Sequence, residues 1–268
     1  MSPSEIERLV RIAWSIGVRK VKLTGGEPLL REDIAEVISR ISSLMSEVSL
    51  TTNGSRLSEL ALPLKTAGLR RVNISLHTLD PELYAGLCGV DLKDEVVDGI
   101  RAAVDAGLSP VKVNMVVLKG ENEGEIQSMM DFCGKVGAIL QLIEYEADRE
   151  SANRRPFADR YYSLKDVEEM LARASVETSF NELHNRRRYR VRANGGMVGV
   201  EVVRPMHNTE FCRNCTRIRM SSDGRLKPCL LDPSGSVDVL TPLRSGASDS
   251  ELRLLFLQAV ANRKPYWS

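Results

Sequence analysis

Short strands and amphipathic helices alternate from the start of this chain to about residue 147, and this alternation limits the fold more than any other feature. One of the helical segments places Ile34, Val37 and Ile41 on a single face, which is the spacing of a helix packed on a core. Such alternation is typical of parallel strands joined by right-handed helical crossovers. The predicted strands are Lys20–Thr24, Val48–Asn53, Arg71–Leu76, Val111–Leu118 and Ala138–Tyr145.

The pattern changes after residue 148. We therefore expect two parts: an incomplete parallel (β/α) barrel of about five strands over residues 1–148, and a small α+β unit over residues 149–268. The elements predicted in the second part are a polar loop at Glu150–Arg160, a helix at Leu164–Ala174, a hairpin of Arg188–Val191 with Met197–Val203, and a last helix at Asp249–Ala261.

Composition narrows the class of protein. A chain of 268 residues that is 43% hydrophobic can bury a full core, and its net charge of +1 gives no overall field for nucleic acid or membrane. No apolar run approaches the roughly 20 residues that span a bilayer, and no secretion signal precedes the first helix. With three of five cysteines clustered, a reducing compartment is indicated, and we expect a cytoplasmic protein.

The clustered cysteines form the pattern Cys212-x2-Cys215-x13-Cys229. Three thiolates at one point make a soft-metal site, which selects zinc, copper(I) or an iron–sulfur cluster. Arg217 and Arg219 follow within four residues of the second cysteine, and paired guanidinium groups favour a bound anion. A metal and an anion side by side indicate an enzyme more than a structural clip.

The predicted strands end in polar segments, as in Thr24-Gly25-Gly26-Glu27, Thr51-Thr52-Asn53-Gly54, Ser75-Leu76-His77 and Glu144-Tyr145-Glu146. In parallel barrels the active site lies at these carboxyl ends. The Gly-Gly pair lacks side chains, so its backbone can approach a ligand closely. The strand ends therefore predict a small-molecule pocket.

Cationic side chains alternate within two of the strands. Period two places Lys22 and Lys112 on the face opposite the apolar residues, where an unpaired ammonium is costly to bury. Lys20 shares the face but can reach solvent from the start of its strand. Together with Arg217 and Arg219, the two inner lysines could neutralise a polyphosphate.

Four motifs resemble one known family: Lys22-Leu-Thr-Gly-Gly-Glu-Pro28, Thr51-Thr-Asn-Gly54, Asn73-Ile-Ser-Leu76 and Phe211-Cys-x2-Cys-x-Arg-x-Arg-x-Ser-Ser-x-Gly-x4-Cys-Leu230. The family is GTP 3′,8-cyclase, the radical S-adenosylmethionine (SAM) enzyme of the first step of molybdenum-cofactor biosynthesis. The resemblance implies an incomplete six-stranded barrel with two [4Fe–4S] clusters. It also implies GTP and SAM as ligands, with (8S)-3′,8-cyclo-7,8-dihydroguanosine 5′-triphosphate as product. The partner implied is the next pathway enzyme, cyclic pyranopterin monophosphate synthase, and the chain would be a monomer or a homodimer.

The resemblance also assigns residues. SAM would contact Gly25, Gly26 and Ser75. GTP would be bound by Lys22, Thr51, Lys112, Arg217, Ile218 and Arg219, of which the two arginines would serve catalysis. The substrate-side [4Fe–4S] cluster would be held by Cys212, Cys215 and Cys229, leaving one iron open to the guanine base.

One departure from the family is large. The Cys-x3-Cys-x2-Cys motif that holds the SAM-cleaving cluster does not occur in the printed sequence, and Cys88 and Cys133 are too far apart to replace it. Either the start of the chain is truncated or misassigned, or the chain is a degenerate family member; truncation is favoured because the lumen-facing lysines and arginines are still present. As printed, the chain should not generate the 5′-deoxyadenosyl radical. Smaller departures are Gln141 where an arginine is frequent, and Glu146 where some members have a methionine that contacts SAM.

Two other functions stay open at this point. His207 precedes the cysteines, so a Cys3His zinc site in a non-catalytic nucleotide-binding protein fits the spacing. Another radical SAM enzyme with an auxiliary cluster fits as well. Neither explains the two arginines and the polar strand ends as economically as the cyclase.

Overall fold

The computed structural model describes residues 1–181 and 186–267. Its α-helices are α1 (Pro3–Ser15), α2 (Ile34–Ser42), α3 (Leu57–Thr66), α4 (Pro81–Cys88), α5 (Lys93–Asp105), α6 (Ile126–Val136), α7 (Arg149–Ala152), α8 (Arg155–Arg160), α9 (Lys165–Ala174), α10 (Thr209–Arg213), α11 (Leu240–Arg244) and α12 (Asp249–Ala261). Its strands are β1 (Lys20–Leu23), β2 (Glu47–Thr52), β3 (Arg71–Ser75), β4 (Val111–Val117), β5 (Ile139–Glu144), β6 (Glu177–Asn181), β7 (Arg186–Ala193), β8 (Gly196–Val203), β9 (Arg219–Met220), β10 (Arg225–Lys227) and β11 (Val237–Asp238).

The main sheet has the order β1-β2-β3-β4-β5-β8-β7-β6. Strands β1 to β5 pair in parallel, as the sequence predicts, and β8 adds a sixth parallel strand beside β5 with Leu140 opposite Val200. The last two strands, β7 and β6, are antiparallel additions. Within the described ranges the sheet does not close, because β1 and β6 are its two edges. The prediction of an α/β fold with an incomplete parallel barrel is confirmed.

The two faces of the sheet differ in chemistry. Alternate strand residues such as Val72, Ile74 and Val113 are fully buried against the helices and form the main core. The residues between them point to the concave face and are polar although buried, including Ser49, Asn73, Lys112, Gln141 and Glu201. This buried polar face is the inner surface of the incomplete barrel.

A second apolar core joins the two ends of the described chain. Leu9 and Ile12 of α1 pack in it with Leu252 and Phe256 of α12 and with Leu226 of β10. Ion pairs Arg8–Asp249 and Arg244–Glu5 lie at its rim. Because α1 leads directly into β1, this packing fixes the small β9–β10–β11 sheet against the open barrel.

The prediction of a loop at residues 150–160 is wrong. They form the short helices α7 and α8. The Asp148 side chain caps the first by accepting a hydrogen bond from the Ser151 N–H at 2.8 Å, and the buried Phe157 anchors the second. The predicted hairpin and the last helix are confirmed as β7–β8 and α12, whereas β6 was not predicted.

No helix in the part of the chain that the structure describes combines the length and the apolar character needed to cross a membrane.

Candidate active site

The three clustered cysteines are brought together by a cap, a turn and a hairpin. Asn208 begins α10 by accepting a hydrogen bond from the Phe211 N–H at 2.9 Å, and this helix carries Cys212. A turn follows in which the Cys215 N–H donates to the Cys212 carbonyl at 3.3 Å. Strands β9 and β10 then pair antiparallel, so the chain reverses and returns to Cys229.

The reversal depends on Gly224. This glycine has a φ of +79°, and a Cβ placed there would lie 2.1 Å from the Cβ of Leu240. Only glycine avoids both the left-handed strain and the collision. The spacing between Cys215 and Cys229 therefore contains a turn that needs a residue without a side chain.

Cys212, Cys215 and Cys229 line one open cleft of about 450 Å³, a volume that includes the solvent at its mouth. The cleft also lies beside the ends of β5 and β8, which contribute Glu146 and Pro205. Its position at the carboxyl ends of two parallel strands agrees with the rule for active sites in parallel barrels.

The charge of the cleft is positive. Four of its lining residues are cationic, namely Arg217, Arg219, Arg263 and Lys264, and Glu146 is its one acidic residue among those described. Burial, and then the neighbouring Arg217, lower the pKa of Arg219. Two guanidinium groups so close together repel each other, and a bound anion would relieve the repulsion.

One of the arginines also contacts a cysteine. The Arg217 Nε–H donates to the Cys215 Sγ at 3.4 Å, and the guanidinium lies over the Phe211 ring with 5.7 Å to its centroid. Burial acts to raise the pKa of the Cys215 thiol, but Arg217 outweighs it, and the pKa lies below its usual value. The thiolate, which is the form that ligates metals, is favoured here.

Glu146 faces the same guanidinium groups from β5. Burial raises the pKa of its carboxyl, against the opposing effect of Arg217 and Arg219. This acid stands in the cleft itself, so the departure from the family noted at this position lies at the site rather than away from it.

The Gly-Gly loop is fixed at the neighbouring strand ends by Glu27. Its carboxylate accepts hydrogen bonds from the Thr52 hydroxyl at 2.6 Å and from the Asn53 N–H at 2.7 Å. Gly25 has a φ of +118°, and a Cβ at Gly25 or Gly26 would meet no described atom within 4 Å. The loop is thus held from one side and open on the other, which suits close approach of a ligand to its backbone.

Lys112 lies on the concave face with a carboxylate partner that the sequence did not suggest. Its Nζ is 2.5 Å from Glu201 Oε2, and Arg188 donates to the other oxygen at 2.7 Å. Burial would raise the pKa of Glu201, but the two cations hold it below its usual value. The buried ammonium is already neutralised within the protein, so its burial alone does not require an anionic ligand.

A second network lies beside this ion pair. Lys22 Nζ donates to Asn73 Oδ1 at 3.3 Å, and the Asn73 amide donates to Asn114 and Gln141 at 3.2 Å each. The Lys22 ammonium and the three side-chain amides together link β1, β3, β4 and β5 across the concave face. Gln141 serves here as an acceptor within the sheet.

The structure places the predicted residues in three locations. The cleft collects the three cysteines with Arg217 and Arg219, whereas Ile218 between the arginines packs against the second core. Lys22, Thr51 and Lys112 belong to strands of the main sheet, and Gly25, Gly26 and Ser75 lie at the strand ends. The ligand roles of these residues stay predictions.

Sequence reasoning missed the segment after α12. Arg263, Lys264, Tyr266 and Trp267 all line the cleft beside the cysteines. A signal was present, because two basic residues and two aromatic residues follow the predicted end of the last helix.

Comparisons with known proteins agree with this arrangement. The model of the Radical SAM superfamily matches residues 1–133, and that of Molybdenum Cofactor Synthesis C matches residues 138–268. A protein of Thermococcus kodakarensis named "Probable GTP 3',8-cyclase" is 54% identical over 267 residues, which are 100% of this chain and 87% of that protein. This chain belongs to the GTP 3′,8-cyclase family. Another family member, from Pyrococcus abyssi, is 52% identical over 268 residues, again 100% of this chain and 87% of its own length.

Solved structures show the same fold at greater distance. SuiB of Streptococcus suis superposes with a TM-score of 0.63 at 20% sequence identity, over 100% of this chain and 60% of that one. Its complex with S-adenosylmethionine superposes with a TM-score of 0.64 at 19% identity, also over 60% of its length. The family implies SAM and GTP as substrates and iron–sulfur clusters as cofactors.

The cysteine site fits a cluster by its donors. Three sulfurs face one cleft, and the pKa of Cys215 favours its thiolate. Thiolate sets are the usual ligands of iron–sulfur clusters. Among the described residues, no three His, Cys, Asp or Glu side chains form a group that could hold a metal ion. His207, the residue considered as a zinc ligand, has its ring 4.4 Å from that of Trp267.

Proposed function

We propose that this chain is a GTP 3′,8-cyclase whose cysteine cleft is the GTP-binding end of the barrel. The observation that carries the proposal is the juxtaposition of Arg217 and Arg219 with three cysteines in one positive cleft at the strand ends. The names of the 54% and 52% identical relatives support the same activity. The product would be (8S)-3′,8-cyclo-7,8-dihydroguanosine 5′-triphosphate.

The residues that would hold the cofactor are Cys212, Cys215 and Cys229. When bound there, a [4Fe–4S] cluster with three cysteine ligands supplies an iron with an open coordination position. The Arg217 Nε–H and charge lower the pKa of the Cys215 thiol, which favours metal ligation. Asn208 fixes the start of the helix that presents Cys212.

The two arginines would bind the anionic nucleotide. A guanidinium carries five N–H donors in a planar fork, and the hydrogen bond to Cys215 uses one of those of Arg217. Arg219 is half-buried next to it, so a bound anion would both accept its hydrogen bonds and relieve the like-charge repulsion. Ile218 between them would contribute through its backbone.

The rest of GTP and the SAM molecule would extend toward the concave face. Lys22 and Thr51 lie there, and Lys112 would reach phosphate only by sharing its charge between Glu201 and the ligand. Gly25, Gly26 and Ser75 would contact SAM at the open side of the Gly-Gly loop. A loop that contacts a bulky cofactor needs open space beside its backbone, and two glycines without side chains leave that space.

The test is GTP binding and iron retention in the full chain, reconstituted without oxygen with iron and sulfide. Arg217→Ala and Arg219→Ala should each weaken GTP binding about tenfold to a hundredfold, the loss expected for a charge-assisted hydrogen bond of about 1.5–3 kcal/mol. Iron content should persist in both. The matched control is Arg213→Ala, since Arg213 is exposed in the same segment and should leave GTP affinity unchanged.

Two results would overturn the proposal. One is unchanged GTP affinity in both arginine variants. The other is a chain that takes up a stoichiometric zinc ion and no iron, which would favour a structural metal site. Isothermal titration with ATP in parallel with GTP measures the preference for the base.

A further inference from the structure

Trp267 is a buried aromatic residue in the segment that follows α12. Only 8% of its surface is exposed. Its ring lies 4.4 Å from that of His207 and meets that of Tyr266 edge-on at 5.0 Å, and Phe157 and Met206 share its apolar cluster. The residue is therefore held in a defined position at the wall of the cleft.

His207 contributes to that position at a cost to the backbone. It has a φ of 49°, which is the left-handed region that residues other than glycine seldom adopt. Strain of this kind persists where the surroundings impose it. It sets the imidazole against the indole just before Asn208 begins the helix of Cys212.

Two N–H groups of Trp267 concern the cysteine site. Its backbone N–H donates to the Cys212 Sγ at 3.4 Å. Its indole Nε1–H is buried and has no hydrogen-bond acceptor among the described residues. Leaving a buried donor without an acceptor is destabilising, so nearly all such donors in native proteins have a partner.

Trp267 lines the cleft together with all three cysteines, so a group bound in the cleft could supply the missing acceptor. The polar groups expected beside Cys212 once iron is bound are the thiolate and sulfide sulfurs of a cluster, and these accept N–H hydrogen bonds.

We propose that the indole N–H of Trp267 donates a hydrogen bond to a sulfur of the cluster held by Cys212, Cys215 and Cys229, and thereby sets its reduction potential. Trp267 is a positioning residue in this assignment, which rests on the cluster site proposed above. An N–H donor stabilises the additional negative charge of the reduced state, so the hydrogen bond raises the potential. His207 holds the indole in place.

The experiment compares Trp267→Phe with Trp14→Phe in the reconstituted full chain. Phenylalanine keeps an aromatic ring and the backbone N–H but removes the indole donor. Trp14, the other tryptophan, is 46% exposed on α1 and serves as the matched control. Iron content is measured first, and an electron paramagnetic resonance titration then gives the midpoint potential without nucleotide.

Trp267→Phe should retain iron and shift the midpoint to a more negative potential. A tenfold loss of preference for the reduced state corresponds to about 59 mV for a one-electron couple. Trp14→Phe should match the unmodified chain in both midpoint potential and GTP affinity.

A second measurement needs no change at residue 267. The Trp14→Phe chain is grown with tryptophan labelled with ¹⁵N in the indole, so that Trp267 is the single labelled ring. Electron–nuclear double resonance of the reduced cluster should then show coupling to that nitrogen and to one exchangeable proton.

The outcomes separate the two proposals. A chain that takes up no iron defeats the cluster assignment itself. A loaded chain whose potential is unchanged in Trp267→Phe, with no coupling to the indole nitrogen, defeats only the role of Trp267. A loss of GTP affinity in Trp267→Phe with an unchanged potential also defeats it, because the donor would then serve the nucleotide.

Discussion

Replacing Glu201 by Gln removes the charge that two cations share inside the barrel. Glu201 is fully buried, and its carboxylate lies 2.5 Å from Lys112 Nζ and 2.7 Å from Arg188 Nη2. Lys112 is itself only 5% exposed. Glu201→Gln therefore leaves a buried ammonium with no counter-charge, whereas the Arg188 side chain is 36% exposed and can turn toward solvent.

The expected magnitudes are unequal. Breaking a buried ion pair by removing one partner costs about 3–5 kcal/mol, and we expect this loss for Glu201→Gln. Lys112→Met should cost less, about 1–3 kcal/mol, because Arg188 still donates both Nε–H and Nη2–H to Glu201. The double variant should cost less than the sum of the two single changes, since each removes the partner that the other leaves unpaired.

Urea denaturation of the three variants, without iron, measures these free energies of unfolding. Equal costs for the two single changes, or a double variant that is strictly additive, would refute the assignment of Glu201 as the shared counter-charge.

The same proteins test the GTP prediction for Lys112. If Lys112 contacts phosphate, Lys112→Met weakens GTP binding and Glu201→Gln does not.

Two further predictions concern stability. Gly224→Ala should destabilise the chain by about 2–4 kcal/mol and reduce iron retention, because left-handed strain adds to the collision with Leu240. The matched control is Gly246→Ala, which has a φ of +86° and no described atom within 4 Å of the added Cβ. It should cost only about 1 kcal/mol in the same urea assay. Burial lowers the pKa of His77 below its ordinary value of 6.5, so the unfolded chain binds its proton first as the pH falls, and stability should decrease below pH 6.5. His77→Asn keeps an acceptor for the Val116 N–H and should flatten that decrease between pH 7.5 and 5.5; an unchanged slope would contradict the assignment.

The first five strands were predictable because each is a short segment with apolar residues at alternate positions, and each follows a helix with clear periodicity. The cysteine pattern was predictable because its chemistry resides in local spacing. By contrast, α7 and α8 have four and six residues, too few for a helical period to emerge from a polar segment. Their signals are the Asp148 cap and the single anchor Phe157.

The remaining differences are contacts between residues far apart in sequence. Lys112 and Glu201 are separated by 89 positions, and no pattern around Lys112 indicates a partner on β8. The addition of β8 beside β5 crosses three helices and two strands. Trp267 reaches Cys212 over 55 positions. Such pairings follow from the folded topology. The sequence therefore predicted the cationic and cysteine residues of the site, but not the residues that neutralise or surround them.

The shared core of α1 and α12 has a consequence for how the molecule opens. Loss of either α1 or α12 would expose the same apolar core, Leu9 and Ile12 on one side and Leu252 and Phe256 on the other. Amide protons of the two helices should therefore exchange with deuterium at matched rates, as one cooperative unit. The small β9–β10–β11 sheet between them should be protected to the same degree, so that the cysteine ligands are released only when the first helix departs as well.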